Sequence, residues 1–247
     1  RRLAAMLHRA DRIVFLTGAG LSTESGIPDF RSETGLYATG LDESVFELHR
    51  FLEDPEVFYR FARRFLPDLL DAAPNDGHRA IAALENDLGR HVDVITQNID
   101  TLHRDAGSSR VFCLHGTAEL CHCLSCGAAV RTAEVIPSVL SGDVPLHDFR
   151  RCGGVLKPDI VFFGEMLPLG VFTAAEDAVS RADLLIVAGT SLTVYPAAAL
   201  PGKRPSSCDL GVVNRESTTL DRDADVILRG GAGALLGEAV RRMEDWT

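Results

Sequence analysis

The sequence predicts an α/β fold, a parallel sheet with helices on both faces and a smaller module inserted into it. Short β-rich apolar runs alternate with helical stretches along the 247 residues, the pattern of strands joined by helical crossovers. Several of those runs end in a glycine or a small polar cluster, and in open α/β sheets the crevice outside the carboxyl ends of the strands is where ligands bind. Two longer segments break the rhythm and read as insertions. The chain is long enough for one large domain, or one and a half small ones, with a real core.

In order, the first strand runs over Ile13 to Thr17 and empties into Gly18-Ala19-Gly20. Residues Leu41 to Ala73 are helical by period, with Pro55 at a first turn and an apolar face of Phe51, Phe58, Phe61, Ala62 and Phe65 that suits core packing. Strands at Val92 to Thr96 and Arg110 to Leu114 lead into Gln97-Asn98 and His115-Gly116. Glu119 to Val155 is too irregular for the sheet, with turns at Ser125-Cys126-Gly127 and Ser141-Gly142-Asp143. These two segments are expected to pack together as the second module. Further strands fall at Ile160 to Phe163, Leu184 to Ala188, Gly211 to Val213 and Val226 to Leu228, and Pro201 to Ser207 reads as an exposed loop.

Composition narrows the function. Hydrophobic residues make up 46% and charged residues 24%, and no apolar run approaches the length of a bilayer span, so no membrane association is expected. Lys plus Arg total 25 against 35 Asp plus Glu; the net charge of -10 repels nucleic-acid phosphates and tolerates a cationic partner. The first residues lack the apolar run of a secretory signal, so a cytoplasmic location is expected. Six cysteines are few for a disulfide scaffold, and four of them, Cys121, Cys123, Cys126 and Cys152, crowd together, which favours a metal site in a reducing compartment. Cys113 and Cys208 lie in or beside strands and read as buried small apolar residues.

Chemistry concentrates at the strand ends. Gly18 and Gly20 allow a tight turn and close approach to a pyrophosphate, with the next helix aiming its free N–H groups at the charge. The spacing to Gly26 is G-x-G-x5-G, however, and by itself fits a glycine turn after any strand. Ile27-Pro28-Asp29-Phe30-Arg31 follows, and Phe30 makes sense there as part of a flap over a ligand. His115 stands where an imidazole titrating near neutrality could act as a general base, and Asn98 with Asp100 is either an Asx turn or a polar pair facing a ligand.

From Gly18 to Arg31 the chain resembles the signature of the sirtuins, NAD-dependent protein lysine deacylases. Thr96-Gln97-Asn98-Ile99-Asp100, Leu114-His115-Gly116, Lys157 to Glu165, Gly189-Thr190-Ser191-Leu192 with Val194-Tyr195-Pro196, and Val213-Asn214-Arg215-Glu216 are similar to further sirtuin motifs in the same order. The resemblance implies a Rossmann-like NAD-binding domain formed by residues 1–36, 74–118 and 156–247. The small domain is then a helical part, 37–73, and a zinc-ribbon part, 119–155. It implies NAD as a consumed cosubstrate: the acyl group of a modified lysine passes to ADP-ribose and nicotinamide is released. His115, Asn98 and Asp100 are the implied catalytic residues, His115 as base toward a ribose hydroxyl. NAD would be held by Gly18, Ala19, Gly20, Thr23, Asp29, Phe30, Arg31, Gln97, Asn98, Ile99, Asp100, Gly189, Thr190, Ser191, Asn214, Arg215, Glu216 and Ala232. An acyl-lysine protein substrate would add a strand along Val161, Phe163, Gly164, Glu165 and Val194. Tyr59 and Arg63 stand one residue away from the Tyr-x-x-Arg spacing of desuccinylating relatives, so an uncharged acyl group such as acetyl is expected. Mono-ADP-ribosyl transfer and a non-catalytic NAD or ADP-ribose sensor are the alternatives. The oligomeric state is not read from the sequence.

Cys123-x2-Cys126 is half of a zinc ribbon. By resemblance a second C-x2-C pair should precede Gly153-Gly154, yet only Cys152 is there and Phe149 stands in the other place. The fourth ligand is His147, or Cys121, or a cysteine from a stretch outside this sequence; otherwise the module holds no metal. With His147 the set is Cys123, Cys126, Cys152 and His147 around one structural zinc per chain.

Overall fold

The computed structural model describes residues 1–148 and 152–244. Helix α1 (Arg2–Arg9) turns Leu3, Ala4, Met6 and Leu7 inward and leads to β1 (Arg12–Thr17). The helix expected after the glycine turn is only one turn long, α2 (Ala19–Ser22), and a 3-10 turn follows. Gly26 at φ 93° and then Pro28 stop it, because neither a left-handed residue nor the residue before a proline continues a helix. The long helical stretch is also divided, into a 3-10 turn at Glu43–Phe46, α3 (Leu48–Glu53) and α4 (Pro55–Asp71). Asp54 leaves the helical region ahead of Pro55, and its carboxylate accepts from the Glu56 N–H to cap α4.

Next come α5 (Asp76–Asn86), opened by a capping box of Asn75 and His78, β2 (His91–Thr96), α6 (Leu102–Asp105) and β3 (Val111–Cys113). The second half contains β4 (Gly116–Cys123), β5 (Ala129–Arg131), α7 (Thr132–Ser141), β6 (Leu156–Ile160), α8 (Leu169–Ser180), β7 (Leu184–Ala188), β8 (Asp209–Val213), β9 (Val226–Leu228) and α9 (Ala232–Glu244).

Six strands form one parallel sheet in the order β3-β2-β1-β7-β8-β9. The chain steps outward from β1 to β3, then returns to the other side of β1 with β7, so the order reverses between β1 and β7 and opens a crevice at their carboxyl ends. Alternation sorts the side chains. Ile13 and Phe15 pack under α1, α5 and α9, while Val14 and Leu16 pack under α8.

One expected strand does not belong to this sheet. Ile160 to Phe163 reads as a strand because of its apolar residues, but the strand is Leu156–Ile160, and it pairs antiparallel with β4 in a separate three-stranded sheet, β5-β4-β6. Phe162 leaves the strand to meet Phe51 and Phe58 at ring-centroid distances of 5.2 and 5.1 Å. The irregular 119–155 segment thus holds the second half of β4 together with β5 and α7. Val135 and Val139 of α7, Cys121 and Leu156 share one apolar cluster with Phe51, Phe58, Tyr59 and Ala62.

Two histidines sit in the main core. His78 on α5 and His103 on α6 are buried, with their rings edge to face at 4.8 Å. Burial pushes His78 down from 6.5 to about 4 and His103 well below its ordinary value. Between those values the unfolded chain binds more protons than the folded one, so stability is full above about pH 6.5 and is lost as the pH falls toward 4. Urea unfolding at pH 7, 5.5 and 4.5 should show a progressive loss, on the order of 3 kcal/mol for His78 once complete; a flat profile would contradict the buried neutral pair.

Candidate active site

A cavity of about 670 Å³ opens at the carboxyl ends of β1, β2, β7 and β8. Its wall is built from two sides: strand-end loops of the parallel sheet, and side chains of the 27–69 and 160–167 segments. Every residue expected to hold NAD or acyl-lysine lines it, from Gly18 and Phe30 through Gln97 and Ser191 to Glu216 and Ala232, and His115 stands among them. The sequence reading missed Ser22, Tyr37, Phe46 and Leu69, and it assigned Phe65 to core packing, whereas Phe65 and Leu69 line the cavity one helical turn apart.

The loops after β1 and β7 interlock. The Gly18 N–H donates to Ala188 O at 3.1 Å, and the Gly20 N–H to Gly189 O at 2.8 Å. A Cβ on Gly18 would stand 2.7 Å from Thr190 Cβ; one on Gly189, where φ is +62°, would stand 2.2 Å from Leu21 N. The two backbones touch with no room for side chains between them.

The polar centre is a small network. The Asn98 amide donates to Gly18 O at 3.2 Å and to Ser22 Oγ at 3.0 Å, and Ser22 Oγ donates to Asp100 Oδ2 at 2.8 Å. Burial pushes the Asp100 carboxyl up, and the Ser22 hydroxyl and the Leu102 N–H partly offset it. Ser22 was legible in principle: it is the one hydroxyl a turn beyond Gly18, able to reach back to that loop. His115 Nδ1 lies 2.9 Å from Gln97 O. A carbonyl only accepts, so Nδ1 carries the proton and Nε2 of the neutral ring has a free lone pair. Burial lowers its pKa, opposed by that hydrogen bond, so the neutral base is the state held near pH 7.

On the opposite wall, the Phe163 N–H donates to Phe46 O and its carbonyl accepts from Leu48 N–H, so its backbone is already paired. Glu165 is turned to the Phe162 N–H at 2.7 Å and to Lys157 Nζ at 2.9 Å. Tyr59 and Arg63 are spent elsewhere. The Tyr59 hydroxyl donates to Leu156 O, and Arg63 binds Glu56 and the carbonyls of Val139 and Gly142.

Away from the cavity, Cys123, Cys126, His147 and Cys152 bring four ligand atoms within 4.8 Å of one another. Cys123 Sγ and Cys152 Sγ are 3.7 Å apart, and a tetrahedral zinc with Zn–S of about 2.3 Å requires about 3.8 Å. The donor set fits one structural zinc with His147 as the fourth ligand. Cys121 instead points to Thr132 Oγ1 at 3.6 Å, inside the apolar cluster. Phe149 lies outside the described residues. Cys113 and Cys208 are buried as expected, and burial raises both thiols.

Elemental analysis should find about one zinc per chain, lost in His147→Ala and retained in Cys121→Ala; the reverse pattern would reassign the fourth ligand. Gly189→Ala should cost several kcal/mol in thermal or urea unfolding because backbone would have to move, while Gly26→Ala, with nothing within 4 Å, should cost only about 1–2 kcal/mol of left-handed strain.

The comparisons with known proteins agree with this architecture. The model of the Sir2 family matches residues 18–196. An NAD-dependent protein deacetylase of Cutibacterium acnes is 43% identical over 98% of this chain and 97% of its own. A solved Sir2 variant with a deacetylated peptide and 3'-O-acetyl ADP ribose superposes with a TM-score of 0.90 at 41% identity, covering 99% of this chain and 97% of that one. A Sir2 structure bound to a propionylated peptide gives 0.86 at 40% identity, covering 99% and 97%. A family model that covers most of the chain and a relative 43% identical over nearly its whole length show that the chain belongs to the Sir2 family, the sirtuins.

Proposed function

We propose that this protein is an NAD-dependent protein lysine deacylase that transfers the acyl group to ADP-ribose and releases nicotinamide. The observation that carries this reading is the placement of His115, with Nε2 free, in one cavity with the buried Asn98-Ser22-Asp100 network. NAD, when bound, supplies the electrophilic ribose carbon and the acceptor hydroxyl. The glycine loops offer backbone groups without side-chain obstruction in the crevice, which suits a pyrophosphate. Asn98 and Asp100 bind and orient the nicotinamide end through amide and carboxylate hydrogen bonds. His115 Nε2 removes a proton from a ribose hydroxyl, and Nδ1 stays anchored to Gln97 O throughout. Phe30, Phe162 and Phe163 exclude water from the reacting atoms.

The acyl group is uncharged in this reading, acetyl or propionyl. Support comes from Tyr59 and Arg63, which are tied to other partners, and from the apolar side chains of Phe65 and Leu69 on the cavity wall. The substrate is an acyl-lysine protein lying along Val161 to Glu165 and Val194. Since the backbone of Phe163 is already paired, Gly164 and the 192–195 loop carry the strand-like contacts. We assign residues 1–36, 74–118 and 156–247 to the NAD-binding domain and 37–73 with 119–155 to the small domain; the shared apolar cluster supports joining the last two segments, and it also takes in Leu156, Ile160 and Phe162 at the boundary. A cytoplasmic location is part of this reading; separately, no described helix is long and apolar enough to cross a membrane.

Incubation with NAD and an acetyl-lysine peptide should release nicotinamide only when the peptide is present, followed by mass spectrometry. ADP-ribose appearing on protein without peptide deacylation would favour mono-ADP-ribosyl transfer, and NAD binding without turnover would favour a sensor. His115→Ala should lower kcat by at least about 100-fold with NAD binding retained. Because burial lowers the pKa of His115 from 6.5 in the free protein, the acid limb of kcat/KM should fall below pH 6.5; a limb above 7 would contradict the assigned base.

A further inference from the structure

The loop between β2 and α6 carries Asn98, Ile99 and Asp100 into the cavity. Both of its ends are tied to a single residue that does not line the cavity, Thr17, the last residue of β1. At the near end the Thr17 carbonyl accepts from the Gln97 N–H at 2.9 Å and from the Gln97 side-chain amide at 3.5 Å. At the far end Thr17 Oγ1 lies 3.0 Å from His103 Nε2, on the helix that follows the loop. The backbone of Thr17 is held by the sheet in any case, through its register with Thr96 and Ala188. Its hydroxyl is not needed for that. The preceding residues of β1, Ile13 to Leu16, are apolar, and a valine would serve the strand equally well.

A fully buried hydroxyl on an apolar strand costs free energy unless it is bonded, and among the described residues this one is bonded only to His103. The histidine is packed against a second buried histidine, His78, which is itself hydrogen-bonded to Asn75. The two rings stand edge to face, and His78 Nδ1 accepts from the Asn75 N–H at 3.3 Å. The Asn75 amide in turn donates to Leu21 O at 2.7 Å and to Ser25 Oγ at 3.0 Å, on the segment that carries Ser22. These contacts therefore span the same two segments that the Asn98-Ser22-Asp100 network joins on the cavity side.

We propose that Thr17, through its hydroxyl on His103, is a positioning residue of the reaction: it clamps the far end of the 97–102 loop so that Asn98 and Asp100 meet the cosubstrate in one fixed arrangement. This inference rests on the deacylase reading for its kinetic consequence and on the structure alone for the clamp. Thr17→Val removes only the hydroxyl function at nearly constant shape, and Thr17→Ser keeps it.

Hydrogen exchange on the protein alone, with deacetylation kinetics beside it, tests the proposal. In Thr17→Val the amides of 98–106 should exchange at least about tenfold faster while those of β1 and β7 keep their protection. The kcat should fall about tenfold or more with the peptide KM within about twofold, because the peptide contacts come from other segments. Thr17→Ser should restore both. His103→Leu removes the same bond from the other side and is read in the same way if Thr17→Val does not fold. Unchanged exchange over 98–106, an unchanged kcat, or a serine variant as impaired as the valine one would overturn the clamp. An unaltered protein that releases no nicotinamide would overturn the proposed function instead, and the exchange measurement would still decide the clamp.

Discussion

The contact between the β1 and β7 loops is the constraint on which the rest of the site depends. Gly18 and Gly20 lie against Gly189 so closely that the backbones hydrogen-bond directly. That contact sets the floor of the crevice at the point where strand order reverses. It fixes Gly18 O, to which Asn98 donates, and places Ser22 one turn further on. The polar centre is thus referenced to main chain, which has no rotamers to lose, and side chains are added to a frame already in place.

The two walls are built by different means. The wall formed by the parallel sheet is defined by strand ends and glycine turns. The facing wall is a collection of side chains, Phe30, Phe46, Phe65, Leu69 and Phe162, contributed by segments inserted between the strands. His115 joins them, since it follows β3 of the parallel sheet and precedes β4 of the small one.

What could be read from the sequence follows the same division. Strand-end clusters such as Gly18-Ala19-Gly20 and Thr96-Gln97-Asn98 are local in sequence and local in space, so their place at one crevice was legible, as was His147 within reach of Cys152. Other features depend on long-range partners that periodicity does not encode. Phe65 has the spacing of a core residue, and only the tertiary path of α4 turns it toward the cavity. Phe162 reads as a strand residue, but its aromatic contacts with Phe51 and Phe58, more than a hundred residues away, take it out of the sheet. Asp54 ends one helix and caps the next, a local signal visible beside Pro55 but obscured by the continuous apolar spacing around it.

Phe162 belongs to two environments at once, the apolar cluster under α4 and α7 and the wall of the cavity. This wall of the cavity is therefore an extension of a hydrophobic core rather than a groove carved on a finished surface. A core can be repacked by exchanging side chains of similar volume while the backbone frame across the cleft stays where it is. The apolar wall can therefore vary in shape while the glycine frame that anchors Asn98 and Ser22 across the cleft keeps its place.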